Sequence, residues 1–161
     1  MGDAPFEQTL DAMLELSEQG KVRHVGLSNF TPEQVERALE HTPVFANQVE
    51  YHPFLGQREL VGLAAKHDFM VTAYSPLARG EVFDDDTLAE IAEAHDADAA
   101  QVALRWLLAQ DQVSAIPKST SPEHIASNFA ALDLDLDDEE LRRIDGLDRG
   151  LRLIDPPFAP W

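Results

Sequence analysis

Short apolar segments alternate with segments of helical periodicity along the chain. Four apolar runs of strand length end in polar residues, at 22–28, 44–51, 70–75 and 113–116. This alternation predicts parallel β/α units, because a crossover helix must return the chain before the next parallel strand can form. In both barrels and open sheets of this kind, ligands bind at the carboxyl ends of the strands.

Local signals mark where the helices begin and end. Residues 31–34 (Thr-Pro-Glu-Gln) form a capping box with proline at the first helical position, and residues 121–123 (Ser-Pro-Glu) form a similar start. Gly20 is expected to end the first helix, in which Leu10 and Met13 should face the core. The predicted helices cover 6–19, 31–39, 57–67, 87–95, 99–109, 121–131 and 138–147.

No Gly-x-Gly-x-x-Gly motif occurs in the sequence. That motif forms the phosphate-binding turn of open dinucleotide-binding sheets, so its absence favours a barrel-type sheet. A complete (β/α)8 barrel typically needs about 250 residues, whereas this sequence has 161. The predicted fold is therefore α/β, with parallel β/α units of a TIM-type (β/α)8 barrel. About half a barrel is expected, as a single domain over residues 1–161.

The chain is strongly acidic, with 30 acidic and 12 basic residues and a formal net charge of −18. Nucleic acid and anionic membrane surfaces repel such a chain and are not expected as partners. Lysine occurs only at positions 21, 66 and 118. Many carboxylates with few lysines favour a salt-rich (halophilic) cytosol, where screening relieves self-repulsion. An ordinary acidic protein is the alternative.

Several other classes are disfavoured by what the sequence lacks. It has no cysteine, which excludes disulfides, thiolate metal sites and cysteine nucleophiles. No pair of histidine and carboxylate has the spacing of metal ligands, so no metal site is predicted. There is no apolar run of about 18 residues, and the first residues do not resemble a signal peptide. A cytoplasmic protein is expected.

Four motifs at the strand ends carry a family resemblance. They read G-K-V-R-H-V-G-L-S-N-F at 20–30, N-Q-V-E-Y-H-P at 47–53, A-Y-S-P-L at 73–77 and I-P-K-S at 116–119. In this order and spacing they resemble the aldo-keto reductase family over nearly the whole chain. The resemblance implies strands five to eight of that barrel, its C-terminal half. It also implies an NAD(P)H-dependent oxidoreductase that reduces aldehydes or ketones to alcohols.

The resemblance assigns cofactor-binding roles residue by residue. Ser28, Asn29 and Gln48 would bind the nicotinamide carboxamide, and Tyr74 would stack on the nicotinamide ring. The other expected contacts are Ser75 and Leu77 along the pyrophosphate, Lys118, Ser119 and Thr120 at the adenosine 2′-phosphate or hydroxyls, and His124, Ser127 and Asn128 towards the adenosine end.

Two of these positions depart from the family pattern. His124 stands where NADPH-specific members commonly have arginine, and Ser127 stands where glutamate is frequent. Arginine offers a permanent planar charge to phosphate, whereas histidine is charged only when protonated. NADPH is the expected cofactor, with NADH as the alternative. Taken singly, each motif residue also has a structural explanation, such as a turn, a core aromatic residue or a surface lysine.

The resemblance also implies what this stretch of sequence does not contain. The family's reaction uses a tyrosine acid supported by lysine, aspartate and histidine, and neither Tyr51 nor Tyr74 lies in such a motif. No catalytic residue is therefore predicted, and the alternatives are a complementing N-terminal half, a homodimer, a non-catalytic nucleotide-binding or subunit-like module, or a truncated gene product. In the family the C-terminal tail borders the substrate pocket, so Phe158 and Trp161 are candidates for substrate contact or for surface packing.

Overall fold

The computed structural model describes residues 5–157 and residue 159, so Phe158 and Trp161 lie outside the described residues. Its four strands form one parallel sheet in the order of the sequence. The strands are β1 (Gly26–Ser28), β2 (Ala46–Glu50), β3 (Met70–Tyr74) and β4 (Val113–Ala115). The prediction of parallel β/α units is confirmed.

Helices follow or separate the strands as the capping signals predict. They are α1 (Phe6–Glu18), α2 (Pro32–Leu39), α3 (Arg58–His67), α4 (Asp86–Ala94), α5 (Ala99–Leu108), α6 (Pro122–Ala130) and α7 (Asp138–Asp145), with 3-10 segments at Ala78–Asp84 and Ala131–Asp133. The capping box of α2 is present, with the Thr31 hydroxyl accepting from the Gln34 amide. Gly20 follows α1 with φ 70°, as expected for a C-terminal glycine.

Two local predictions are wrong in detail. The strand expected from residue 22 begins at Gly26, because in the described part of the chain β1 pairs with β2 alone and its ladder starts opposite Ala46. Met13 is 41% exposed. Helix α1 packs at the margin of the core and buries only Leu10, so Met13 does not face it.

The two faces of the sheet differ in what covers them. Alternate strand residues are buried in the core shared with the helices: Leu27, Asn47, Val49, Val71 and Ala73. Apart from Glu50, the intervening residues remain half-buried or exposed, and several are small or polar, as with Ser28, Gln48, Thr72 and Ser114. A portion of a TIM-type barrel has one face covered by helices and one open face. The open face corresponds to the barrel interior.

No helix within the described part of the chain is long and apolar enough to cross a membrane.

Candidate functional site

Polar residues come together where three of the strands, β1, β2 and β3, reach their carboxyl ends. Ser28 lies opposite Gln48 in the β1–β2 register, and the Asn29 amide donates to the Gln48 carbonyl at 2.8 Å. The Tyr74 hydroxyl, from β3, donates to Asn29 Oδ1 at 2.8 Å. Asn29 Nδ2 in turn donates to Ser28 Oγ at 3.3 Å. The structure thus assembles four of the expected site residues, which we call the amide cluster: Ser28, Asn29, Gln48 and Tyr74.

The backbone at Asn29 explains how this contact forms. Strand alternation would direct consecutive side chains to opposite faces. Asn29 has φ 59°, in the left-handed region, which asparagine tolerates better than most residues. Its side chain therefore hydrogen-bonds both Ser28 and Tyr74.

Tyr74 keeps its proton in this arrangement. Partial burial raises the pKa of its hydroxyl, and the nearby Glu50 carboxylate raises it further. The hydroxyl is therefore a hydrogen-bond donor to Asn29 at neutral pH, and the contact fixes the orientation of the ring.

Asn47 supports the amide cluster from the buried side of β2, and the sequence analysis did not identify it. Its side chain is fully buried, donating to the Phe30 carbonyl at 3.0 Å and accepting from the Phe30 amide at 3.4 Å. It therefore holds the loop that carries Asn29. The sequence feature that could have identified Asn47 is its position in the strand. It is a polar residue two positions before Val49, on the face where apolar residues are expected.

A groove of about 490 Å³ lies between the loops that follow β3 and β4. It brings Ser75 and Leu77 together with Lys118, and it also contains Arg79, which the sequence analysis missed. Ser75, Arg79 and Gly80 all have positive φ, so the backbone turns sharply here. Arg79 and Lys118 place two cations in one groove of a chain whose net charge is −18. The groove is lined by Ser75, Pro76, Leu77, Arg79, Gly80, Phe83, Ile116, Pro117 and Lys118.

The remaining expected site residues lie around the start of α6. Thr120 and His124 are exposed, while Ser119 Oγ accepts from the Ser121 amide at 3.1 Å. The Ser127 hydroxyl donates to Asp98 at 2.6 Å, so it is turned towards α5. Asn128 lines a different, largely apolar cavity of about 790 Å³ between β4, α5 and α6. Neither Ser127 nor Asn128 lines the groove that contains Lys118.

The second tyrosine lies in the core. Tyr51 donates its hydroxyl to Gln110 and meets Trp106 edge to face at 5.4 Å between ring centroids. Burial raises the pKa of Tyr51 to about 12. Within residues 5–157 and 159, no cluster of three or more histidine, aspartate or glutamate side chains is arranged to hold a metal ion.

The fold and the site together define a class of protein. Parallel β/α units with polar residues gathered at the carboxyl ends of the strands are the architecture of TIM-type barrel enzymes. The chain belongs to the aldo/keto reductase family, whose model matches residues 2–149.

Individual relatives agree with this assignment. The chain is 39% identical to an aldo-keto reductase of Mycolicibacterium smegmatis, covering 94% of this chain and 56% of that protein. It is also 39% identical to methylglyoxal reductase DkgB of Salmonella typhi, over 96% of this chain and 59% of that protein. The crystal structure of a putative 2,5-diketo-D-gluconic acid reductase B superposes with a TM-score of 0.94 at 37% identity, covering 98% of this chain and 57% of that one. The chain thus spans somewhat more than half the length of the relatives it matches.

Proposed function

We propose that this chain forms the nicotinamide-cofactor-binding half of a cytoplasmic NAD(P)H-dependent aldo-keto reductase that reduces aldehydes or ketones to alcohols. Residues 1–161 would form one domain, equivalent to the C-terminal half of the barrel. The amide cluster is the observation that carries the proposal, because it joins three strand ends at the edge where such barrels bind ligands. Relatives named as methylglyoxal and diketogluconic acid reductases support a small carbonyl compound as the substrate class.

The residues at this edge fit a nicotinamide nucleotide. Ser28, Asn29 and Gln48 offer the donors and acceptors that a carboxamide needs, and Tyr74 offers an aromatic face. The cationic groove containing Arg79 and Lys118 suits the negatively charged phosphates of the nucleotide. The nucleotide would supply the hydride, while these side chains would bind and orient it.

Neither tyrosine in the described residues is suited to donate the proton that carbonyl reduction needs. Tyr74 donates its hydroxyl proton to Asn29, and Tyr51 is buried with a pKa of about 12. A general acid must reach the developing alkoxide and have a pKa suited to proton transfer. We therefore assign the acid and its supporting residues to a complementing N-terminal half.

A non-catalytic nucleotide-binding module is the second candidate, and reduction of a carbonyl compound by the purified chain alone would exclude it.

An open apolar surface supports the proposal that a complementing half-barrel packs against this chain. Beside β4, which pairs only with β3 among the described residues, the 790 Å³ cavity is flanked by Ile125, Phe129 and Leu132. Phe129 is 73% exposed. Relatives extend well beyond the aligned region, since this chain covers 56–59% of their length. We assign this surface to the strands and helices of the complementing half.

The chain alone is expected to be monomeric, because we assign this surface to a different half-barrel and two copies each carrying a charge of −18 repel one another. Sedimentation equilibrium in low and in molar salt measures the mass. A stable dimer would contradict the assignment and would indicate that a second copy covers the surface. The variant Phe129→Asp should then return the dimer to a monomer.

Replacing Lys118 by alanine should weaken NADPH binding by roughly 1–3 kcal/mol, because a charged contact to the nucleotide is lost. Fluorescence titrations with NADPH and NADH measure the two affinities, and their ratio reports the preference between the two cofactors. Because we propose a salt-adapted protein, each titration is run in low and in molar salt.

Lys66, exposed in the last turn of α3, provides the matched control, and Lys66→Ala should leave both affinities unchanged. Equal affinities for wild type and Lys118→Ala would contradict the role of Lys118. If wild type binds neither nucleotide at either salt concentration, the chain alone does not form the cofactor site.

A further inference from the structure

Strand β2 ends in a buried carboxylate. Glu50 has no exposed surface, although it shares the otherwise open face of β2 with Gln48. The segment that covers Glu50 includes residues 153 and 154, about a hundred positions later in the chain. The Leu153 amide donates to Glu50 Oε1 at 2.8 Å, and the Ile154 amide donates to Oε2 at 3.0 Å. A buried carboxylate is costly unless it is fully hydrogen-bonded, and here each oxygen has its own backbone donor.

A buried histidine supplies a third donor to the carboxylate. His52 Nδ1 accepts from the Phe54 amide at 3.3 Å, so in the neutral ring the proton lies on Nε2, which donates to Glu50 Oε1 at 3.3 Å. Burial lowers the pKa of His52, while Glu50 acts in the opposite direction. The ring is therefore neutral at neutral pH. Arg152 places a cation near the carboxylate, with Nη1 at 4.0 Å from Oε2.

The loop after β2, which carries His52 and Phe54, also holds the C-terminal segment at residues 149–151. The Phe54 carbonyl accepts from the Arg149 amide at 3.3 Å and from the Leu151 amide at 2.9 Å. The Arg149 guanidinium lies 4.0 Å from the centroid of the Phe54 ring. Residues 151–154 form neither helix nor strand, so their amides depend on such partners.

We propose that Glu50 anchors residues 152–154 across the carboxyl end of β2, as a preformed wall beside the amide cluster. Glu50 is two residues from Gln48 and lies opposite Tyr74 in the β2–β3 register, so the anchored segment borders both. Gln57 fixes the backbone of the anchor by donating from Nε2 to the Glu50 carbonyl at 2.7 Å. The anchoring is independent of whether the chain binds a nucleotide.

The variant Glu50→Gln tests the anchor while conserving its shape. The substitution turns one acceptor oxygen into an NH2 group that faces an N–H donor. Hydrogen-exchange protection at Leu153 and Ile154 should then fall by roughly ten- to a hundredfold, as expected when a charge-assisted hydrogen bond is lost. Hydrogen bonds to the carboxylate should shift the proton resonances of these amides downfield in the wild type. In the variant these resonances should move towards random-coil values, and trypsin should cut after Arg152.

Two further variants separate a local from a global effect. Glu59→Gln, at an exposed position in the first turn of α3, should leave protection at Leu153 and Ile154 unchanged. Leu153→Pro removes one donor and keeps Glu50, and should expose the Ile154 amide in the same way. Unchanged protection of these amides in Glu50→Gln would overturn the anchor. So would a loss spread evenly over core amides such as Val49 and Val71 in both Glu50→Gln and Leu153→Pro.

Discussion

Replacing Phe54 by alanine should lower the free energy of unfolding by about 3–5 kcal/mol, the usual cost of truncating a fully buried aromatic side chain. Phe54 has no exposed surface and lies in the loop after β2. Its ring contacts the Arg149 guanidinium, and its centroid lies 6.0 Å from that of His52. The variant therefore leaves a cavity beneath residues 149–154. Urea denaturation followed by circular dichroism measures the loss.

Phe83 provides the matched comparison for this substitution. It is 59% exposed, and Phe83→Ala should change the unfolding free energy by no more than about 0.5 kcal/mol. Similar losses in the two variants would contradict the central position of Phe54 in the core.

Replacing Asn47 by leucine should destabilise the fold by about 1–3 kcal/mol, because the half-buried Phe30 N–H and C=O groups both lose their side-chain partner. The loop that carries Asn29 would lose its support, and nucleotide affinity should fall together with stability. Urea denaturation and NADPH titration of the same preparation measure both effects.

The exposed Gln8 on α1 provides the control for Asn47. Gln8→Ala should change neither stability nor affinity. A cost below about 0.5 kcal/mol for Asn47→Leu would show that the buried amide does not support the loop, because surface substitutions usually fall within that range.

The features predictable from the sequence are those with a local cause. The capping box at 31–34 depends on neighbouring residues, and the alternation of strands and helices depends on hydrophobic periodicity. Both are confirmed. The strand-end motifs identified the family correctly. The cofactor roles of the twelve expected site residues stay predictions.

The features that the sequence did not reveal depend on contacts between distant residues. The Tyr74–Asn29 hydrogen bond joins residues 45 positions apart, and the Leu153–Glu50 contact joins residues 103 positions apart. No local pattern indicates either partner. The role of Arg79 depends on a turn with positive φ that places its loop beside Lys118, and Met13 is exposed because α1 lies at the margin of the core.

The long separation between Glu50 and its backbone donors has a consequence for how the chain matures on the ribosome. Strands β1 to β4 are neighbours in sequence order, so each can join the sheet soon after it is synthesised. Residues 153 and 154 are translated 103 and 104 positions after Glu50. Until they emerge, the carboxylate lacks the two backbone donors that it has in the folded chain. A nascent chain stalled before residue 153 would therefore leave the Glu50 side chain open to solvent, where the folded chain covers it.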